Sequence, residues 1–150
     1  MGCDDCRDRR AFLREIALIT AAAAWSVDFV SGQSAGGEEM TYPIPAQDGV
    51  TIDKDHEVML ARYQQTLYAF GLSCPHQKTP LRWQEAEHRF QCPKHKSTFE
   101  PNGTFISGRA TRDLDRYAIR RDAANVVVDL GKLYRQDENR ESWIAAVVKL

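Results

Sequence analysis

Two cysteines and two histidines in the middle of the 150-residue chain constrain its fold more than any other feature. Cys74 and His76 are separated by one residue and Cys92 and His95 by two, with fifteen residues between the two segments. Zinc sites of the finger type usually open with a pair of cysteines and close with a pair of histidines. Here each short segment supplies one thiolate and one imidazole. Two loops must therefore meet for the four side chains to hold metal together.

The residues around these four resemble the Rieske iron–sulfur family. In a Rieske [2Fe–2S] centre, two histidines replace two cysteines on one of the two irons. The resemblance covers residues 74–117. Prolines follow both cysteines, and Ser97 lies two residues after the second histidine, as in that family. Residues 108–112, followed by Leu114 and Tyr117, resemble the Gly-Pro-Ala-Pro … Leu-x-x-Tyr segment that closes over the cluster in this family. Both prolines of that segment are missing here.

The resemblance implies a cofactor and a set of site residues. Cys74 and Cys92 are expected to bind one iron of a [2Fe–2S] cluster, and His76 and His95 the other. Ser97 is expected to donate a hydrogen bond to a bridging sulfide, which stabilises the reduced state. The implied fold is an all-β, Rieske-type antiparallel barrel or sandwich with the cluster-binding loops at its tip. Nothing beside the cluster resembles a catalytic residue, so we expect an electron carrier whose partner performs the reaction.

The same segments bear on the redox potential. Neutral imidazoles replace negative thiolates, so Rieske centres span about −150 to +300 mV, against about −400 mV for plant-type ferredoxins. High-potential relatives carry a disulfide whose cysteines correspond to Thr79 and Lys94, and Phe99 replaces a tyrosine that hydrogen-bonds a cysteine sulfur. Lys78, Lys94 and Lys96 add positive charge, which raises the potential and favours an acidic partner. We predict a midpoint of about 0 to +200 mV.

From Met40 onward, short apolar runs alternate with turn residues, which is typical of an all-β domain. Residues 58–63 and 66–70 predict a hairpin closed by Gln64 and Gln65. Further strands are expected at 81–83, 89–91, 98–99, 104–106, 117–120 and 126–130. In the tail, helical spacing predicts a short C-terminal helix that packs on its own domain, with the apolar residues Trp143, Ile144, Val147 and Val148.

The chain opens with a segment that resembles a twin-arginine export signal. Residues 8–14 read Asp-Arg-Arg-Ala-Phe-Leu-Arg, where the usual form is Ser/Thr-Arg-Arg-x-Phe-Leu-Lys, and an alanine-rich apolar run follows. This route exports folded proteins, which suits a cluster that is inserted before export. The alternative is an amphipathic helix of the domain with Phe12, Ile16 and Ile19 on one face. A membrane span needs about 20 apolar residues, so cleavage and retention as an anchor both stay open, and we favour the anchor.

The expected organisation is a signal or membrane anchor at residues 1–30, a linker at 31–39 and a Rieske domain at 40–150. Three glycines and two serines occupy the linker, so it is expected to be flexible, as a hinge or as a plain spacer. Cys3 and Cys6 form a Cys-x2-Cys pair without a second half. Two ordinary thiols are a simpler interpretation of that pair than a metal site.

Three functional classes fit this organisation. The first is an electron-transfer subunit of a membrane-associated complex on the periplasmic side of the bacterial inner membrane, with quinol and a cytochrome b or c as partners. Gln77 and Lys78 replace the Leu and Gly of quinol-oxidising relatives, so direct contact with quinol is in question. The second is the small Rieske subunit of an exported molybdenum oxidase such as arsenite oxidase, with a molybdopterin subunit as partner. The third is a Rieske ferredoxin of an oxygenase system, which an export signal does not suit.

Other functions are less compatible with the sequence. Charged residues make up 27% of the chain and the net charge is −1, which gives no general attraction to nucleic acid. A zinc-binding module would use the same four ligands, but the Cys-x-His spacing argues against it. His56 and His88 are expected to be isolated, with His88 solvated in a polar turn, and no acid–base pair stands out.

Overall fold

A computed structural model describes residues 37–150, and in this range the chain forms eleven β-strands and one short α-helix. The strands are β1 (Glu39–Pro43), β2 (Gly49–Asp53), β3 (Val58–Tyr63), β4 (Thr66–Gly71), β5 (Arg82–Gln84), β6 (Arg89–Gln91), β7 (Thr98–Phe99), β8 (Phe105–Ser107), β9 (Arg116–Asp122), β10 (Asn125–Tyr134) and β11 (Val148–Lys149). The helix is α1 (Arg140–Ala145), and a 3₁₀ turn spans Glu85–Glu87. The prediction of an all-β fold is confirmed.

The strands form two antiparallel sheets. The larger sheet has the order β1-β10-β9-β4-β3-β2. Its seventh strand, β11, also pairs with β4 and stands outside this linear order. The smaller sheet has the order β5-β6-β7-β8, and its strands are two or three residues long. The loop from β4 to β5 carries the first Cys–His pair, and the loop from β6 to β7 carries the second. The first loop therefore joins the larger sheet to the smaller one, and the second loop lies within the smaller sheet.

The predicted hairpin β3–β4 is confirmed. Tyr63 pairs with Thr66, which leaves Gln64 and Gln65 as a two-residue turn. Both glutamines have positive φ, 47° and 59°, as the hairpin turn that matches strand twist requires. Asn and Gly adopt this backbone at lower cost, so pairing along the two strands must hold the turn in place.

Strands β3 and β4 are buried on both faces. Met59 belongs to a hydrophobic cluster that extends into the smaller sheet through Phe90 and includes Cys74 and Cys92. Its neighbour Val58 belongs to a second cluster, shared with β9 and β10. Because successive side chains of a strand point to opposite faces, the central hairpin separates the two clusters. The first cluster is the apolar support of the two loops.

The C-terminal helix is shorter than predicted. Helix α1 ends at Ala145, and Val148 pairs with Leu67 of β4 as part of β11. The prediction that Val147 and Val148 continue the helix is therefore wrong. The physical reason is an open strand edge, since β9 pairs with β4 only through Phe70 and leaves the other end of β4 free to bind the tail.

The predicted packing of this tail on its own domain is confirmed. The Trp143 side chain is 8% exposed, and its Nε1–H donates a hydrogen bond of 2.8 Å to the Leu114 carbonyl. The Arg116 guanidinium lies 3.5 Å from the centre of the indole ring. Trp143 thus fastens the helix to the segment that follows β8.

Within residues 37–150, no helix combines the length and the apolar character needed to cross a membrane. The predicted export segment, Cys3, Cys6 and most of the predicted linker lie outside the described residues. The last linker residue, Glu39, opens β1. Gly37 lies so close to Gly131 that an added Cβ would be 2.6 Å from the Gly131 Cα, so these last linker positions pack on the domain.

Candidate metal centre

The first loop, residues 74–80, is a closed turn. The Cys74 N–H donates to the Thr79 carbonyl at 2.9 Å, and the Lys78 N–H donates to the Cys74 carbonyl at 2.9 Å. A bridge between Ser73 and Pro80 joins the two ends of the loop. Backbone hydrogen bonds therefore fix where the Cys74 and His76 side chains leave the chain.

The second loop, residues 92–97, repeats this pattern. The Cys92 N–H donates to the Ser97 carbonyl at 2.8 Å, and the Lys96 N–H donates to the Cys92 carbonyl at 3.0 Å. In both loops the cysteine thus opens a turn that closes four and five residues later. The histidine differs in position, two residues after the first cysteine and three after the second.

A lysine occupies the same strained position in both loops. Lys78 has a φ of 48° and Lys96 a φ of 58°, and each lies four residues after its cysteine. This left-handed backbone suits glycine and costs a larger residue about 1–3 kcal/mol. Both lysines are exposed, so burial of their side chains does not offset the strain.

The two cysteines form the inner half of the site. Cys74 is 1% exposed and Cys92 is 2% exposed, and neither is in a disulfide. Burial raises the pKa of the Cys74 thiol and the neighbouring Cys92 raises it further, while the N–H groups of His76 and Gln77 lower it. Two adjacent buried thiols lose their protons less readily than exposed ones, whereas a bound, positively charged metal favours their thiolate form.

The two histidines form the outer half of the site. His76 and His95 are partly exposed, and their Nδ1 atoms lie 3.2 Å apart. Two neutral rings can share only one proton between these atoms. Two nitrogens bound to one tetrahedral metal at about 2.1 Å would lie about 3.4 Å apart. The observed separation therefore fits two imidazoles that bind one metal ion through Nδ1.

Ser97 connects the second loop to the segment that follows β8. Its side chain is fully buried, and its Oγ accepts hydrogen bonds of 3.0 Å from the N–H groups of both Arg109 and Ala110. An added Cβ on Gly108 would lie 2.4 Å from the Ser97 Cα, so only glycine allows this approach. Because both neighbours donate to Oγ, the Ser97 O–H remains a donor toward a third group.

The segment that lacks the family's prolines is held by hydrogen bonds instead. Asp113 accepts from the Phe105 N–H at 2.8 Å, and the Leu114 N–H donates to the Gly103 carbonyl at 2.9 Å. Leu114 is fully buried and Ala110 is 4% exposed. These contacts, together with those of Ser97, keep the segment close to the two loops.

Positive charge surrounds the imidazole pair. Burial lowers the pKa of His95, and Arg109, His76 and Lys94 lower it further by repelling a proton. A low pKa keeps the ring neutral, which is the form that binds metal.

Beside the first loop lies a groove of about 830 Å³ that is lined by apolar residues and by Lys54, Glu57 and Arg82.

Outside this site, the expectation that His56 is isolated is wrong. Its Nδ1 lies 2.7 Å from an oxygen of the Asp53 carboxylate, which also accepts from the Tyr42 hydroxyl at 2.9 Å. The Asp53-x-x-His56 spacing across a turn was the available signal, because Asp side chains often accept hydrogen bonds two and three residues later. His88 is exposed, as predicted, and ends the 3₁₀ turn with a φ of 46°.

The donor set fits a binuclear cluster better than a mononuclear ion. Within residues 37–150, no group of three or more His, Cys, Asp or Glu side chains is placed to hold one metal ion. The donors instead form a thiol pair and an imidazole pair. Rieske centres need this division, with sulfur ligands on one iron and nitrogen ligands on the other.

Known proteins share this region. Residues 41–118 match the family described as the Rieske [2Fe-2S] domain. The Rieske 2Fe-2S iron-sulfur protein YhfW of Bacillus subtilis (strain 168) is 33% identical over 48 residues, which are 32% of this chain and 9% of YhfW. The chain thus matches less than a tenth of that relative's length.

Three solved structures are similar. The plasma membrane Rieske protein PetC3 from Synechocystis PCC 6803 is 26% identical, covers 53% of this chain and 82% of its own, and has a TM-score of 0.45. The ferredoxin of carbazole 1,9a-dioxygenase from Nocardioides aromaticivorans IC177 is 19% identical, covers 57% of this chain and 86% of its own, and has a TM-score of 0.41. A chain of a hyperthermophilic respiratory Complex III is 16% identical, covers 81% and 94%, and scores 0.44. Since the family match spans more than half of the chain, this protein belongs to the Rieske [2Fe-2S] domain family, whose domains bind a [2Fe–2S] cluster and transfer electrons.

Proposed function

We propose that the protein is a one-electron carrier in which Cys74 and Cys92 hold one iron and His76 and His95 hold the other. The facing Nδ1 atoms, 3.2 Å apart, are the observation that carries this proposal. The cysteines are buried and the histidines are partly exposed, so the cysteines would hold the inner iron and the histidines the iron nearer to solvent. A partner protein can thus approach the imidazole side.

The cluster supplies reversible one-electron chemistry when it is bound. The protein supports it through the first hydrophobic cluster, which keeps water from the cysteines. Ser97 can donate its O–H to a bridging sulfide, because its oxygen already accepts two backbone N–H groups. The ring nitrogens that do not bind iron can exchange protons with solvent, which couples electron transfer to pH.

Spectroscopy of the purified protein tests the ligand assignment. Electron paramagnetic resonance and visible spectra of the reduced protein should show a Rieske-type cluster. Cys74→Ser should abolish it, whereas His95→Cys should keep a cluster of lower potential. A matched control is His88→Gln, which changes an exposed histidine outside the site. A normal Rieske spectrum in Cys74→Ser would contradict the assignment.

The pattern of the N-terminal residues supports a proposal for where the protein is located. We propose a twin-arginine signal or anchor at residues 1–30, a linker at 31–39 whose residues 37–39 pack on the domain, and the Rieske domain at 40–150. Residues 9, 10, 12 and 13 carry the arginine pair, Phe and Leu of the export pattern. The protein would then act on the periplasmic side of the bacterial inner membrane and associate with the membrane through its N-terminal segment.

The proposed partners follow from this location. We favour a membrane-associated oxidoreductase complex, in which quinol and a cytochrome b or c exchange electrons with the cluster. The small subunit of an exported molybdenum oxidase is the second candidate, since such subunits also carry a twin-arginine leader. Purification from membranes separates the two, because a haem-containing subunit should accompany the first and a molybdopterin subunit the second. Recovery with a cytoplasmic oxygenase would contradict both.

A further inference from the structure

Four cations lie near the histidine pair. Lys78, Lys94 and Lys96 lie on the two loops, Arg109 lies on the neighbouring segment, and all four are exposed. We call these four residues the basic tip. Among residues 37–150, none of them forms an ion pair.

This charge is local. Residues 37–150 contain sixteen lysines and arginines and sixteen aspartates and glutamates, so the domain has no net charge apart from its histidines. The two loops and residues 107–111 contain no acidic residue. Glu57, which lines the adjoining groove, shares it with Lys54 and Arg82. Elsewhere cations such as Arg112 and Lys132 are paired with carboxylates. The basic tip is therefore an unbalanced positive surface on a neutral domain.

The backbone gives a second and independent observation. Lys78 and Lys96 occupy equivalent left-handed positions that suit glycine. Strained positions of this kind persist where the surrounding structure holds them, and they cluster at active and binding sites. Both lysines are within two residues of a histidine, so their charges lie close to the point where an electron would leave the protein.

We propose that the basic tip docks an acidic protein surface, with Lys78 and Lys96 as paired contact residues that align the partner with the imidazoles. This inference rests on the proposed electron-transfer function and specifies the partner's chemistry. An acidic protein fits better than a lipid surface or nucleic acid, because the electron must pass to a redox group beyond the imidazoles. Complementary charge would mainly accelerate encounter and set orientation.

Small oxidants of opposite charge test the tip directly. Each ion, hexacyanoferrate(III) or tris(phenanthroline)cobalt(III), takes one electron from the reduced full-length protein. Stopped-flow rates are measured from about 0.01 M to about 0.15 M ionic strength, over which the Debye length falls from about 30 Å to about 8 Å. We expect the anion's rate to fall several-fold as salt rises and the cation's rate to increase.

Charge variants assign the effect to the tip. The double variants Lys78→Glu/Lys96→Glu and Lys78→Gly/Lys96→Gly should weaken or reverse the salt dependence, and the glycine pair also suits the loop backbone. Arg121→Glu is the matched control, since Arg121 is exposed and lies on β9 of the larger sheet, outside both loops. An equal effect of Arg121→Glu, or the same salt response for both oxidants, would overturn the proposal.

A second measurement does not need the cluster. Binding of poly-glutamate, followed by tryptophan fluorescence, should weaken several-fold in both double variants but not in the control. Unchanged binding in the double variants would overturn the docking proposal, as would tighter binding to duplex DNA or to anionic phospholipid vesicles of equal charge. Absence of a Rieske signal would count against the electron-transfer function alone, because the poly-glutamate result still decides the charge of the docking surface.

Discussion

The Ser97 hydroxyl is the residue-scale feature that joins the second loop to the segment after β8. We predict that Ser97→Ala lowers the midpoint potential by on the order of tens of millivolts, because a donor to the reduced cluster is lost. It should also destabilise the domain by about 1–3 kcal/mol, since the buried Ala110 N–H loses its acceptor. Redox titration and thermal unfolding measure the two effects.

Ser107→Ala is the control for this prediction. Ser107 is exposed, and its hydroxyl lies 2.9 Å from the hydroxyl of Thr98. Its removal should leave the potential unchanged. If Ser97→Ala and Ser107→Ala had the same potential as the wild type, Ser97 would hold only the backbone and not the cluster.

The pair of Asp53 and His56 predicts a pH dependence of stability. The hydrogen bond from His56 lowers the pKa of Asp53 to about 2, and the same bond raises the pKa of His56. The Asp53 contribution is present above its unfolded pKa of about 3.9 and is lost as pH falls through the folded value. The His56 contribution is present below about 6.5 and is lost as pH rises through its raised pKa.

Thermal unfolding between pH 3 and pH 9 measures this effect. The melting temperature of wild type minus that of His56→Gln should be largest between about pH 4 and about pH 6.5, and it should not exceed a few degrees because the pair is partly solvated. His88→Gln, which removes an exposed histidine, should give a flat difference. A flat curve for His56→Gln as well would show that the pair contributes nothing.

At the scale of elements, the C-terminal helix depends on one side chain. Trp143 is buried, hydrogen-bonded to Leu114 and stacked on Arg116, whose pKa burial lowers to about 10. We predict that Trp143→Ala destabilises the domain by about 3–5 kcal/mol. Ile144→Ala, at a neighbouring side chain that is 55% exposed, should change stability by less than about 0.5 kcal/mol. Urea unfolding compares the two, and similar losses would mean that α1 packs differently.

Elements with local signals were predictable and those with distant partners were not. The hairpin around Gln64 and Gln65 was visible because apolar runs flank a two-residue turn. The pairing of Val148 in a strand was not visible. The tail has helical spacing, but Val148 pairs with the open strand edge at Leu67, which lies 81 residues earlier in the chain. Local pattern cannot report such a long-range pairing. The order of strands within the two sheets escaped prediction for the same reason.

The candidate site shows the same division. The four ligand candidates and Ser97 were visible in the sequence because their spacing is unusual, and the structure brings the two thiols together and the two imidazoles together. Lysine itself carries no signal for positive φ, so the left-handed backbone at Lys96 was not visible, and at Lys78 the only signal was the Gly of quinol-oxidising relatives. The approach of Gly108 to Ser97 joins residues far apart in sequence, so only the fold reveals why glycine stands there.

At the scale of the whole molecule, the redox potential of the cluster depends on several residues of the two loops and the neighbouring segment together. The disulfide positions hold Thr79 and Lys94 and the tyrosine position holds Phe99, which lowers the potential, whereas Ser97 and the basic tip raise it. A midpoint of about 0 to +200 mV at neutral pH is therefore expected. A titration that gave less than about −100 mV would mean that the positive charges lie too far from the cluster or are screened.

The location proposed for the electron carrier depends on its N-terminal segment. If residues 8–14 direct export by the twin-arginine route, Arg9→Lys/Arg10→Lys should retain the full-length protein in the cytoplasm, with its cluster, because this route recognises the arginine pair and moves folded proteins. Arg14→Lys is the matched control, since it removes an arginine and restores the usual lysine of the pattern. Fractionation of a bacterial host into periplasm, membrane and cytoplasm, read by antibody and by the Rieske signal, measures the result. Equal distribution of the wild type and the double variant would show that residues 8–14 are not an export signal, and the periplasmic partners proposed above would then lose their support.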